Sequence, residues 1–195
     1  MRLFVACETG PAVADAAEAL IADLQARVAR LAPHARLTWV AKARLHFTVR
    51  FIGPVDAGRL PALQAALAAP LPVPPFELVV QGLGVFPDRR PPRVVWAGLR
   101  SGTSGLVALA HAVNARLDPL VGGDRETFRP HLTLARVKEP HGLRAGTLLD
   151  GLEDVPVGVT HVASVTLFES RQGGGGVEYV PLLRTALART GRPPG

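Results

Sequence analysis

The sequence is short of cysteine, lysine and aromatic residues, and it contains no long hydrophobic run. Its 195 residues include one cysteine, Cys7, so no internal disulfide can form, and a reducing, cytoplasmic setting is expected. Cys7 follows the apolar run Leu3-Phe4-Val5-Ala6, and no His or Asp comes after it at useful spacing. It therefore reads as a buried small residue rather than a nucleophile. No apolar stretch approaches the roughly 18 residues of a membrane span. The opening residues lack the longer apolar region and small-residue cleavage site of a signal peptide and read instead as a first β-strand. There is also no long linker and no exact repeat.

What is present suits a folded chain and is compatible with an anionic partner. Apolar residues make up 48% of the sequence, enough for a proper core at this length. The formal charge is +6, and of the 22 basic residues only Lys42 and Lys138 are lysines. Guanidinium groups grip phosphate in a fork and stack on bases, so arginine on this scale suits RNA. An Ala-, Gly- and Pro-rich proteome with GC-biased codons would also replace lysine by arginine, and composition alone leaves both readings open.

Periodicity supplies the elements. After Pro11, Val13, Ala17, Leu20, Ile21, Leu24 and Val28 recur at helical spacing, and the helix should end near Pro33. Extended segments are predicted over 37–40 and 45–52, and a shorter helix over 57–68 closed by Pro70. Strands are expected over 76–80 and 93–97, separated by a Gly/Pro/Arg loop from Gly82 to Pro92. A helix over 105–117 precedes a strand at His131–Val137. Two last strands, 162–168 and 177–182, flank a Gly-rich turn at Gly173–Gly176. A helix followed by a strand carrying His-x-Thr occurs once in each half. This predicts an α+β fold with two similar lobes of antiparallel sheet plus helices facing each other across a groove, as one bilobal domain over 1–188 with a frayed tail at 189–195.

The two motifs are His46-Phe47-Thr48-Val49 and His131-Leu132-Thr133-Leu134. In a strand, residues two apart share a face, so each segment presents an imidazole beside a hydroxyl while its apolar residues face the other way. A lone His-x-Thr is ordinarily a satisfied polar pair; two copies in two similar halves suit a paired site, and the residues alone leave both readings standing. The chemistry such a pair could perform is in-line displacement at phosphorus. One imidazole takes a proton from water while the other supplies one to the leaving oxygen, each worth about 10²–10⁴-fold. The threonine hydroxyls can donate to the non-bridging oxygens. Neither motif contains Asp or Glu and the one cysteine is remote, so the zinc-like ligand set that histidines often join is missing, and neither metal nor cofactor is expected.

The residues resemble a known family, the 2H phosphoesterases, named for two His-x-Thr-x motifs. Within it the chain is most similar to the RNA 2',3'-cyclic phosphodiesterases, also called 2'-5' RNA ligases. The similarity runs through Arg2-Leu3-Phe4-Val5-Ala6, the first motif extended from Leu45 to Gly53, Gly82–Pro87, Arg93–Gly98, the second motif from Phe128 to Arg136, Leu167–Arg171 and Tyr179–Leu182. What it implies is a bilobal fold with the motifs on facing strands, and an RNA end left with a 2'-phosphate. By analogy His46 is the proton donor to the leaving 3'-oxygen and His131 the proton acceptor that activates water. Thr48 and Thr133 would bind the phosphate, and Arg136, five residues after the second histidine, would join them. Strict alternation puts Arg136 on the wrong face, so a bend is required; Arg50 has the parity for the groove and is the second candidate.

The implied partner is RNA ending in a 2',3'-cyclic phosphate, or a related nucleotide, with no membrane and no metal, handled by a monomer. Rival readings are a phosphodiesterase or ligase acting on 2',5'-linked or small cyclic nucleotides, and a non-catalytic module that binds RNA ends. His34, His111, His141 and His161 have no Thr two positions on and read as solvated or structural. Trp39, Trp96, Phe86, Phe128 and Tyr179 are candidate stacking platforms, most of them expected in the core. The loop bearing Arg89, Arg90 and Arg93 could guide an RNA backbone or simply be solvated.

Overall fold

A computed structural model describes residues 1–88, 91–123, 127–174 and 176–188. In chain order the elements are β1 (Arg2–Glu8), α1 (Pro11–Leu31), β2 (Arg36–Trp39), β3 (His46–Pro54), α2 (Leu60–Ala68), β4 (Phe76–Phe86), β5 (Val94–Ser101) and α3 (Thr103–Val121). They continue with β6 (Leu132–Glu139), α4 (Ala145–Leu149), β7 (Pro156–Val162), β8 (Ser164–Gly173) and β9 (Gly176–Ala186). Proline is favoured in the first turn, where its missing N–H costs nothing, and Pro11 opens α1 there. Val13, Ala14, Ala17, Ile21, Leu24 and Val28 then form its buried stripe. Gly10 has no side chain to cap the helix, so the buried Thr160 hydroxyl on β7 accepts the Gly10 N–H at 2.7 Å.

The strands run in the order β7-β4-β5-β6-β3-β1-β8-β9, with β2 added alongside β6. All the pairings between strands are antiparallel. A half of five strands (β7, β4, β5, β6 and β2) and a half of four (β3, β1, β8 and β9) are thereby joined at one seam, where β3 and β6 share the single ladder pair Phe47–Leu132. Both seam side chains are buried, and truncating a buried Phe to Ala costs about 3–5 kcal/mol, so core packing holds the seam where the ladder is shortest. The helices cross over between halves. Leaving β1, α1 packs on β7 and β6; leaving β5, α3 packs on β3 as well as on β4 and β5. The apolar residues between sheet and helices form one continuous core. A smaller cluster, Phe4, Ala6 and Phe168 with Tyr179 against it, lies on the opposite face of β1 and β8.

The α+β class and the two facing half-sheets agree with the sequence reading. Where the structure departs from it, glycine is the reason. β4 continues through Gly82-Leu83-Gly84-Val85-Phe86, which reads as the start of a loop. Gly84 is required there because the Trp96 indole of β5 lies directly over its Cα, in the space a Cβ would fill. α4 and β7 were not foreseen at all. The segment that contains them has two proline- and glycine-bearing turns and little periodicity. Arg89, Arg90 and the tail at 189–195 lie outside the described residues. Among the described residues no helix is long and apolar enough to cross a membrane.

Candidate active site

Each motif strand carries an extra residue just after its threonine. On β3, Thr48 pairs with Ala6 and Arg50 with Val5, so Val49 is a bulge. On β6, Thr133 pairs with Trp96 and Ala135 with Val95, so Leu134 is a bulge. A bulge of one residue reverses the parity of everything beyond it. Val49 and Arg50 are both buried, as are Leu134 and Ala135. The residue five after each histidine then returns to the histidine's face: Phe51 in one half and Arg136 in the other, both exposed. This is the bend that the Arg136 assignment requires.

The same displacement removes Arg50 from the groove, contrary to the expectation from simple alternation. Arg50 is 3% exposed and turned toward α3. It donates to Asn114 Oδ1 at 3.1 Å and to the Gly122 carbonyl at 2.6 Å, and it pairs with Asp118 at 3.1 Å. Arg50 is therefore a structural arginine, holding the C-terminal turn of α3 to β3.

The two histidines are held alike. His46 Nδ1 lies 2.7 Å from the Arg44 carbonyl, and His131 Nδ1 lies 2.7 Å from the Arg129 carbonyl. A carbonyl only accepts, so each Nδ1 carries the proton and each neutral ring offers Nε2 as its base. His46 Nε2 stands 3.1 Å from Thr48 Oγ1, whose hydroxyl donates to it in the neutral form. Aromatic rings fix both planes. Phe4 and Tyr179 stand 5.1 and 5.3 Å from His46 between ring centres; Phe86 and Trp96 stand 5.2 and 6.5 Å from His131. The carbonyl of Arg44 is itself braced, because its guanidinium donates to the Val177 carbonyl at 2.8 Å and neighbouring Lys42 pairs with Asp15 and Glu18 on α1.

Both imidazoles are held below their ordinary pKa. For His46 the causes are burial, then the charges of Arg136 and His131, against a raising contribution from the Arg44 carbonyl. For His131 they are burial, then Arg136, against the Arg129 carbonyl. Arg136 thus disfavours the imidazolium form of both rings, and His131 adds to that effect at His46. Two pockets adjoin them. One of about 430 Å³ lies on the His131 side between Phe86, Phe128 and Arg129. The other, about 90 Å³, lies on the His46 side and takes in Arg2, Arg136, Ser170 and Tyr179. Thr48 and Phe51 line both, so they form one groove.

Of the residues singled out in the sequence, His46, Thr48, His131 and Arg136 converge on this groove, and Thr133 stands between His131 and the bulge on the same strand. Phe86, Phe128 and Tyr179 line it; Trp39 instead lies in a separate crevice between α1 and β2. Arg93 uses its backbone to tie Phe86 to Val137. His141 pairs with Glu139 at 2.9 Å. Cys7 is buried and its thiol is pushed up to about 12, chiefly by burial and then by Glu8, which leaves it inert. Arg2, Phe4, Phe51 and Ser170 were missed. Phe51 was findable by aligning the halves on their histidines; Arg2 and Ser170 become neighbours only through the β1–β8 pairing. Among the described residues no group of three or more His, Cys, Asp or Glu comes together.

Comparison with known proteins follows the same lines. The sequence profile of the LigT-like phosphoesterases matches residues 12–96. A curated RNA 2',3'-cyclic phosphodiesterase of Aeropyrum pernix is 34% identical over 155 residues, which cover 78% of this chain and 88% of the relative. A solved Thermus thermophilus protein is similar with a TM-score of 0.74 at 28% identity, covering 98% of this chain and all of the other. Escherichia coli LigT complexed with 3'-AMP gives 0.71 at 28% identity, covering 96% of this chain and 98% of the other.

Proposed function

This chain belongs to the LigT-like phosphoesterase family of the 2H superfamily, and from that premise we propose that it is a hydrolase that opens 2',3'-cyclic phosphates at RNA ends to 2'-phosphates, with His46 and His131 as its acid and base. The observation that carries the reading is the duplicated tether. Each Nδ1 is committed to a backbone carbonyl two residues upstream, so both rings present Nε2 to the groove where Arg136 bears on them together.

The geometry supports a simple division of labour. The cyclic phosphate enters between the rings, and Arg136 and the Thr48 and Thr133 hydroxyls hold its non-bridging oxygens. On binding, the Thr48 hydroxyl turns from His46 Nε2 to the phosphate, freeing that nitrogen to carry the donated proton. His131 Nε2 takes a proton from water as the water oxygen bonds to phosphorus. The bond from phosphorus to the 3'-oxygen breaks in line, and His46 protonates the departing oxygen. The scheme leaves a 2'-phosphomonoester and returns each histidine to its starting state after one proton exchange with solvent. The exposed face of Phe51, between the two pockets, is available for a base to stack on.

Turnover of an RNA oligomer ending in a 2',3'-cyclic phosphate, in excess chelator, tests this directly. Wild type should form the 2'-phosphate end, with His46→Ala and His131→Ala each slower by at least about 10²-fold. Binding without turnover by wild type would instead favour an end-binding module, and rescue by added zinc or manganese would replace the two-histidine scheme with a metal site.

A further inference from the structure

The smaller pocket holds more positive charge than one cyclic phosphate can answer. Arg2 and Arg136 both line it, and its wall contains no Asp or Glu. Among the described residues neither guanidinium has a carboxylate within ion-pairing distance, although nearby Arg171 is paired with Glu169 at 2.7 Å. A cyclic phosphodiester carries a single negative charge. The two arginines reach the pocket from different strands, Arg2 from β1 and Arg136 from β6. Arg136 shares the pocket wall with His46 and Thr48 and lies on the face of His131 beyond the β6 bulge, which suits it to the reacting phosphate. Arg2 instead lies over the Phe51 ring, 5.7 Å from its centre, and opposite Ser170 in the β1–β8 ladder. Along β1 it stands two residues, about 7 Å, beyond Phe4, the residue that packs on His46.

We infer that Arg2, with the Ser170 hydroxyl, binds a second anion: the phosphodiester on the 5' side of the terminal ribose. The nearest other negative charge on an RNA end is that group, and Phe51, which lines the pocket with both arginines and has Arg2 over its ring, would lie under the nucleoside that connects the two phosphates. Arg2 would thereby make the protein select chain ends over free cyclic mononucleotides. The source of the ligand rests on the proposed function; the second anion site rests on the charges themselves.

Binding separates the two. A nucleoside 2'-phosphate and the same nucleoside carrying 2'- and 5'-phosphates are titrated against wild type, Arg2→Gln and, as a control for diffuse charge, Arg171→Gln. Wild type should favour the bisphosphate by on the order of tenfold, the size of one charge-assisted contact. Arg2→Gln should bring that ratio close to one, and Arg171→Gln should leave it near the wild-type value. For single-stranded substrates, losing the contact should also reduce the slope of log affinity against log salt by about 0.7. Equal wild-type affinity for the two ligands, a ratio that survives Arg2→Gln, or an equal collapse in Arg171→Gln would each overturn the inference. Turnover of cyclic-ended RNA is measured in parallel. Its absence beside an intact binding ratio would strike the proposed activity and leave the second anion site in place.

Discussion

The bulges on β3 and β6 predict that two arginines of similar sequence setting will fail in opposite ways. Arg136→Gln removes an exposed charge whose expected work is done only when phosphate is bound. A charge-assisted hydrogen bond contributes about 1.5–3 kcal/mol, so kcat/KM should fall by roughly 10–150-fold with the melting temperature nearly unchanged. Arg50→Gln removes a buried guanidinium that answers Asn114, Asp118 and the Gly122 carbonyl. Breaking a fully buried pair costs about 3–5 kcal/mol; Asp118 is 42% exposed, so water recovers part of that and about 2–3 kcal/mol is expected. For a chain of this size that is a fall in Tm of about 5–10 °C, with kcat/KM at 25 °C within about threefold of wild type. Calorimetry or a thermal shift assay, paired with initial rates on a cyclic-ended oligomer, reads both quantities. Loss of activity by Arg50→Gln at an unchanged melting point, or early melting of Arg136→Gln with normal turnover, would refute this division between the two arginines.

Because burial and Arg136 hold both imidazoles low, the pH profile of kcat/KM should be a bell whose limbs lie below the ordinary histidine value near 6.5. Bound phosphate favours imidazolium, so the kcat profile should sit at higher pH, and Arg136→Gln should raise both limbs of kcat/KM. Stability follows with a definite sign: below pH 6.5 the unfolded chain takes up protons that the folded histidines refuse, so stability should fall as pH drops from 6.5 toward their depressed values, less steeply in His46→Ala. Gly84→Val forces a side chain into the space of the Trp96 ring, which supports His131 beside Phe86. Overpacking of this kind costs about 1–3 kcal/mol, and kcat should fall more than KM rises; an unchanged kcat would show that His131 does not depend on that support.

The sequence made the site legible wherever chemistry and short-range alternation coincided. His46, Thr48, His131 and Thr133 are visible because an imidazole and a hydroxyl two residues apart must share a strand face. Arg136 and Arg50 mark where that logic stops. A bulge leaves no trace in the local pattern of apolar and polar residues, since Val49 is followed by an arginine and Leu134 by an alanine although all four are buried. Only the pairing with β1 and β5 reveals it. Arg2 and Ser170 were hidden for a related reason: they lie at opposite ends of the chain and become neighbours through register alone. In the fold, β4 was cut short because glycine reads as punctuation, although Gly84 is there to let an indole lie flat on the strand.

The exchanged helices make the separation of the two imidazoles a property of the frame. α1 leaves β1 yet packs on β7 and β6, and α3 leaves β5 yet packs chiefly on β3, so each half-sheet is covered by a helix that a strand of the other half delivers, with the Phe47–Leu132 pair at the seam between them. The gap to which a ligand brings its phosphorus is accordingly framed by core packing on both sides rather than by loops. Discrimination at the reacting atom then comes from size and charge at that gap, leaving adaptation to different RNA ends to the side chains along its rim.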